Sequence, residues 1–344
     1  MLLFLFVGCD DYLDRPDLDS ITTDNFWKTS NDLQLYVNRY YTSFPGWSAN
    51  AWNGGIYWHD DNSDNMIRPN ANSWLAGNNA ITTSNNSWSF SNIRNMNIFM
   101  ANYDKVQDEF DNYKQYVGEA LFFRAYFNFN LLRNYGPYPY TNEVLTEISE
   151  ELYGERTPRD VIVQNIIADL DEAAGYMASG SVSNGNRLNK EVAQLFKARV
   201  ALYEGTWEKH HNGTPYGASG SDGSAFLTIA AQAAQDVMNS GEYSLTPNYS
   251  DNFNSSSENN TESVFEVQFT YQGGNAWAYA DWGGQDNGYS ETSFYSAEYG
   301  GLGGFHNNDP SQELLDEYEA NDPRFGSNFY SLGDTYGIGG ANTI

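Results

Sequence analysis

The chain has 344 residues, enough for one large domain or two ordinary ones, and carries 45 acidic against 17 basic side chains for a net charge of −28. Nucleic-acid binders need Lys and Arg to displace counterions from phosphates, and anionic membranes are met by basic patches, so both classes are disfavoured. A lone cysteine excludes an internal disulfide framework, and no second long apolar run offers a transmembrane helix.

Met1 to Gly8 form an apolar run ending in a small residue, followed by Cys9 and Asp10-Asp11. This is the pattern of a bacterial lipoprotein signal, cleaved before a Cys whose sulfur carries lipid. A secretory apolar region spans about 7–15 residues, whereas crossing a bilayer needs roughly 20. No Lys or Arg precedes the run. Either the true start lies upstream, or this is an N-terminal apolar tag with a chance Cys. Lipidation of Cys9 would leave no free thiol, which suits an oxidising exterior. Residues 10–23 are polar, acidic and interrupted by Pro16, and read as an extended tether.

Helical periodicity then begins. Thr29 with Asp32 three residues on predicts a cap, and Leu33, Val37, Tyr40 and Phe44 form a stripe ended by Pro45-Gly46. From Trp47 to Ser87 periodicity vanishes, while Trp47, Trp52, Trp58 and Trp74 stand among Asn, Gly, Ser and Asp. A loop this long is functional or disordered, and its tryptophans argue against disorder. Trp88, Met96, Phe99 and Tyr103 suggest the next helix, with Trp27 and Trp88 both assigned to the core. Val117, Leu121, Ala125, Phe129 and Leu132 line another, closed by Gly136-Pro137.

Thr157-Pro158-Arg159-Asp160 predicts a helix start with a capping hydroxyl, and the stripe Ile162, Ile166, Leu170, Ala173, Met177 follows. Asn189 is expected to cap a helix carrying Val192, Phe196, Arg199 and Tyr203. A Gly-rich loop over 207–223 leads to Phe226, Ala230, Ala233 and Val237, closed by Ser240-Gly241. Arg124 and Arg199, set within apolar stripes, are expected to pair with buried acids or carbonyls rather than meet a ligand. Beyond Gly241, Phe265, Val267 and Phe269 alternate with polar residues and predict one strand. Residues 272–309 are rich in Gly, Asn and aromatics without a period, and Ser311 to Tyr318 reads as a short helix.

These segments carry a pattern: Cys9-Asp10-Asp11-Tyr12-Leu13-Asp14, Thr22 to Trp27, Phe123-Arg124-Ala125-Tyr126-Phe127 with Tyr135-Gly136, and Arg156-Thr157-Pro158-Arg159 leading to Asp169-Leu170. Ala198 to Tyr203, Val237 to Leu245 and Asp322-Pro323-Arg324-Phe325 complete it. In this order the chain resembles the SusD/RagB family of outer-membrane nutrient-binding lipoproteins of Bacteroidota. The resemblance implies a mostly α fold of tetratricopeptide-type helical hairpins with long loops and minor β. It also implies a non-catalytic protein at the cell surface, lipid-anchored to the outer membrane at Cys9, that hands oligosaccharides to a SusC-like TonB-dependent transporter. Residues 1–8 then read as a signal remnant, 9–23 as the lipidated Cys and tether, and 24–344 as the glycan-binding domain. Family members usually continue past Asp322-Pro323-Arg324, so the ending reads as a truncation, matching a leader cut short.

A sugar ring offers a C–H face that stacks on Trp or Tyr and a rim of hydroxyls that bond Asp, Asn and Arg. The first aromatic loop supplies Trp58, Asp61, Asn65, Arg68 and Trp74, and the second Trp277, Tyr279, Asp281 and Trp282. The resemblance places the glycan site in these two regions, while each Trp has the plain alternative of packing into its own loop. No cofactor or metal is expected. Asp60, Asn62 and Asp64 have the spacing of a calcium loop, but its twelfth position is Ala71, and His210-His211 lacks a partner at zinc spacing. Two rival readings are a glycoside hydrolase, against which the absence of a strand–helix barrel pattern weighs, and a peptide-binding scaffold, which leaves the tryptophan loops unexplained.

Overall fold

The computed structural model describes residues 26–45, 63–67, 75–78, 87–180, 187–253, 260–266, 309–328, 335–336 and 342–343. Cys9, the tether, Val267 and Phe269 lie outside them. Phe265 and Glu266 are described and are not in a strand.

Helix α1 (Ser30–Asn38) opens with the expected capping box. The Thr29 hydroxyl accepts the Asp32 N–H at 3.3 Å, and the Asp32 carboxylate accepts the Thr29 N–H at 2.9 Å. Leu33, Val37 and Tyr40 are buried, and the chain runs on into a 3-10 turn, Arg39–Ser43. Trp27 is buried too, with its ring centroid 5.0 Å from Tyr36 and 5.7 Å from Phe99.

Helix α2 (Ser91–Met100) buries Ile93, Met96 and Phe99. Trp88 is a correction to its core assignment: it is 38% exposed. The helix begins only at Ser91, so Trp88 stands outside its periodicity. It packs edge-on against Tyr135 at 4.9 Å, with the Arg156 guanidinium 5.6 Å from its ring. Helix α3 (Phe110–Tyr135) buries Val117, Leu121, Ala125, Phe129 and Leu132 along the predicted stripe. It ends at Gly136, whose φ of +68° is strained for any other side chain.

Helix α4 (Arg159–Tyr176) starts where the sequence predicts but is not capped as predicted. The Thr157 hydroxyl accepts the Tyr140 N–H at 3.2 Å instead, beside a backbone bridge from Tyr138 to Thr157. With Arg159 the first helical residue, the cap position falls on Pro158, which has no side-chain oxygen, and Thr157 stands one residue too early to cap. Helix α5 (Lys190–His211) is capped by Asn189, whose Oδ1 accepts the Val192 N–H at 2.9 Å. Arg199 is exposed, contrary to expectation. The buried residues of α5 include Val192, Ala193, Val200 and Ala201 together with Glu191, Glu204 and Glu208, and a stripe drawn through apolar residues alone misses the three carboxylates and turns Arg199 inward.

Helix α6 (Ser224–Ser240) buries Phe226, Ala230, Ala233 and Val237, and Gly241 follows at φ +75°. Its start closes tightly on α5: a Cβ on Gly205 would lie 2.8 Å from Leu227 and 2.9 Å from the Gly223 carbonyl. Among the helices, α3 packs against α1, α2 and α4, and α4 against α5. Short elements complete the described chain. They are strands β1 (Met66–Ile67), β2 (Asp309–Pro310), β3 (Thr335–Tyr336) and β4 (Asn342–Thr343), and helices α7 (Gln312–Asp316) and α8 (Phe325–Asn328). The chain is mostly helical, and no described helix is long and apolar enough to cross a membrane.

Two compact units divide the chain. One comprises Met1–Tyr40, Ser87–Ser179 and Leu188–Asp236, and the other Tyr41–Asn86, Gly180–Arg187 and Val237–Ile344. The first holds the helical core, and the second takes in both aromatic loops.

Candidate functional site

In the second unit the two loops singled out by sequence meet at described points. Phe44, just before the first loop, packs its ring 5.0 Å from that of Phe265, upstream of the second. Farther along, β1 inside the first loop pairs antiparallel with β2 at the end of the second, Met66 opposite Pro310 and Ile67 opposite Asp309. The Ser311 N–H extends the ladder by donating to the Asn65 carbonyl at 2.8 Å. Pro310 has no N–H to give, which suits so short a pair.

Ser311 joins this ladder to α7. Its backbone bonds Asn65, while its buried hydroxyl accepts the Leu314 N–H at 3.1 Å and caps the helix. Asn65 is half-buried, and its own N–H donates to the Ser63 hydroxyl at 3.2 Å. Of the predicted site residues, Asn65 is thus placed within the junction, and Arg68 follows β1 directly in sequence. Trp58, Asp61, Arg68, Trp74, Trp277, Tyr279, Asp281 and Trp282 lie outside the described residues. The ladder and Ser311 were missed by sequence reading, since two-residue strands carry no periodicity and the pairing joins positions far apart in the chain.

Downstream, Asp322 receives two bonds from Arg324 Nε, at 2.9 and 3.0 Å, and holds that guanidinium 5.9 Å from the Tyr318 ring. Phe325 packs edge-on against the same ring at 5.6 Å. The Asp-Pro-Arg-Phe segment is thereby a local clasp. The bonds from Arg324 hold the Asp322 carboxyl below its usual range.

Two buried ion pairs link helices of the first unit. Arg124 on α3 grips Asp169 on α4 through Nε at 2.8 Å and Nη2 at 2.5 Å, as the sequence leads one to expect for Arg124. Burial pushes the Asp169 carboxyl up against the pull of Arg124, and raises the nearby Tyr140 phenol to about 12 with the Asp169 charge adding to it. Arg159 at the start of α4 grips Glu204 on α5 with two bonds of 2.7 Å, its guanidinium 4.1 Å from the Trp207 ring. Glu208, one turn on, is fully buried. Its Oε2 accepts from Ser221 and its Oε1 has no partner; burial raises this carboxyl, with the charges of Glu204 and Asp160 adding. Among the described residues no group of three or more His, Cys, Asp or Glu could hold a metal.

Chemically, the described junction offers backbone amides and carbonyls, one Asn and one Ser, from which two aromatic-rich loops depart.

Comparison with known proteins agrees with this architecture. A SusD-like family model, described as starch-binding associating with outer membrane, matches residues 11–202, more than half of the chain. SusD-like protein P2 of Formosa agariphila is 24% identical over 220 residues, covering 61% of this chain and 43% of its own length. SusD-like protein P25 of the same organism is 23% identical over 287 residues, covering 78% and 50%. The chain therefore spans about half the length of these curated relatives. Among solved structures, surface glycan-binding protein A from Bacteroides fluxus superposes with a TM-score of 0.62 at 21% identity, covering 87% of this chain and 64% of that one. A laminarin binding SusD-like protein superposes with a TM-score of 0.56 at 19% identity, covering 71% and 52%. At these identities the likeness shows the fold.

Proposed function

Since the chain belongs to the SusD-like family, we propose that it binds oligosaccharides without cleaving them and passes them to a SusC-like TonB-dependent transporter. In this reading Cys9 carries the lipid that holds the protein on the outer membrane at the cell surface. The carrying observation is the match to a starch-binding family over residues 11–202, and the junction of the two aromatic loops supports it. Trp58, Asp61, Asn65, Arg68 and Trp74 from the first loop, with Trp277, Tyr279, Asp281 and Trp282 from the second, would form a shallow platform. Indole and phenol faces would take the C–H face of each sugar, and the amide, carboxylates and guanidinium its hydroxyls.

The test is a panel of neutral glycans that includes starch and laminarin, read for both affinity and released reducing ends. Binding to at least one glycan with no new reducing ends is expected. Turnover would make the protein an enzyme, and affinity for peptides but for no glycan would make it a helical-repeat scaffold. Recovery of palmitate label on the wild-type chain but not on Cys9→Ala, in a lipoprotein-processing host, tests the anchor.

A further inference from the structure

The segment joining α3 to α4 is held in place at several points yet presents apolar side chains to water. The bridge between Tyr138 and Thr157 ties its ends together. Arg156 donates to the Pro137 carbonyl at 2.7 Å. From α2, buried Asn97 donates to the carbonyls of Thr141 at 3.2 Å and Glu143 at 3.0 Å, and Arg94 donates to that of Leu145. Thr146 and Ser149 close the next turn, the Thr146 N–H meeting the Ser149 hydroxyl at 2.9 Å, and a 3-10 turn follows at Glu150–Tyr153. These bonds fix the backbone of a compact surface loop.

On this fixed loop Ile148 is 91% exposed and Tyr153 86%, with Leu152 also exposed. Elsewhere in the unit the exposed large apolar residues Leu35, Leu202 and Tyr216 stand singly, while Ile93, Ile162, Ile166 and Ile167 are buried. Single exposed apolar residues are ordinary, but three within six positions on an ordered turn are not. Glu143, Glu147, Glu150, Glu151 and Glu155 share this stretch of sequence with no Lys or Arg between Glu143 and Glu155, while Arg94 and Arg156 are engaged by the Leu145 and Pro137 carbonyls. None of these carboxylates enters an ion pair among the described residues.

We propose that this loop is a docking surface for a protein partner that presents an apolar cleft rimmed by Lys and Arg. Charge selects the occupant. A second copy of this chain would bring its own acidic surface against the five glutamates, and an anionic membrane would repel them. A basic rim is drawn in by them, and Ile148 and Tyr153 then supply the apolar area that holds the complex once formed. The ordering cost of the loop backbone is met before the partner arrives, as in preorganised interfaces. The surface is separate from the glycan reading and does not rest on it.

The probe is a short fluorescein-labelled peptide in which Lys alternates with Leu, compared with one in which Lys alternates with Ser, both measured by anisotropy on the whole chain. The Lys–Leu peptide should bind about tenfold or more tightly than the Lys–Ser peptide. I148S/Y153S, which keeps every charge, should abolish that advantage, and E147Q/E150Q/E151Q should weaken binding and flatten its salt dependence. L202S, at another exposed leucine, should leave affinity unchanged and so separates this loop from apolar surface in general. Thermal unfolding confirms that each variant is folded, as expected for such exposed positions. Equal binding of the two peptides, failure of the wild type to bind the Lys–Leu peptide, or wild-type affinity in I148S/Y153S would each overturn the proposal.

Discussion

Removing Asp169 should expose how the helical core depends on its buried charges. Arg124 and Asp169 are both buried and share two bonds of 2.8 and 2.5 Å between α3 and α4. Asp169→Ala leaves a guanidinium inside the core without the carboxylate that bonds it, and Arg cannot shed its proton. Breaking a buried pair from one side costs about 3–5 kcal/mol. At roughly 2–4 °C per kcal/mol, that corresponds to a fall in Tm of about 6–20 °C. Arg124→Met strands a carboxylate instead, and a carboxylate can take up a proton. Burial already holds the Asp169 carboxyl above its ordinary range, and loss of the arginine removes the groups that pull it down. An acid whose folded pKa is raised contributes stability present in full below its unfolded value and lost as pH rises through the folded one. The cost of Arg124→Met should therefore shrink as pH falls from about 7 toward 4, while that of Asp169→Ala should not. Replacing both, as R124M/D169L, removes both burdens and should return stability to within about 1 kcal/mol of wild type or above it. Urea unfolding followed by far-UV circular dichroism reads all four proteins. A loss under about 1 kcal/mol in Asp169→Ala, or a double variant as unstable as that single one, refutes the reasoning.

Three further outcomes follow from named contacts. Gly205→Ala would gain about 1 kcal/mol from helix propensity alone, but its Cβ would lie 2.9 Å from the Gly223 carbonyl, so the melting temperature should fall; a rise would show that the α5–α6 approach gives way easily. Burial raises the Glu208 carboxyl, so its contribution is present below the ordinary glutamate range and lost as pH rises through the raised value. Stability measured against Glu208→Gln should thus drop for the wild type on going from about pH 4 to pH 8, and parallel pH profiles would contradict the burial argument. Trp74→Ala and Trp282→Ala should each weaken glycan binding with far-UV circular dichroism unchanged, and unaltered affinity in both would move the site elsewhere.

Local chemistry made most of the helices legible. The capping box at Thr29, the cap at Asn189 and the stripe from Val117 to Leu132 are decided within a turn or two of chain, so they read directly from the sequence. Thr157 was misread because its hydroxyl had two local uses, and the bridge to Tyr138 selects the second. Arg199 and Trp88 were misplaced by apolar pattern alone, which omits the buried carboxylates of α5 and the late start of α2. The pairing of β1 with β2 was illegible for a different reason. Its partners are hundreds of residues apart and two residues long, and nothing in either stretch specifies the other.

The buried pairs also explain why the family is so readable while the ligand is not. Two segments that carry the resemblance, Phe123-Arg124-Ala125 and Asp169-Leu170, are the two ends of one ion pair. Arg159, from a third, reaches Glu204, directly after the segment ending in Tyr203. Each of these residues is constrained by a partner on another helix, since a change at one end leaves a charge stranded in the core. These four residues hold helices together, and they lie in the first unit. Both aromatic loops belong to the second unit, where the described junction is made of backbone bonds through Asn65, Ile67 and Ser311. Backbone bonds place little demand on side-chain identity, so the loops that leave this junction are free to differ in the aromatics and polar groups they present. Exchanging residues 47–62, 68–86 and 272–308 for those of a relative with another glycan, while keeping Met66–Ile67, Asp309–Pro310 and Ser311, should therefore transfer specificity without moving the melting temperature of the helical unit. Loss of the helical unit's stability in that chimaera would show that the loops are part of its core, and retention of the original glycan would place specificity outside them.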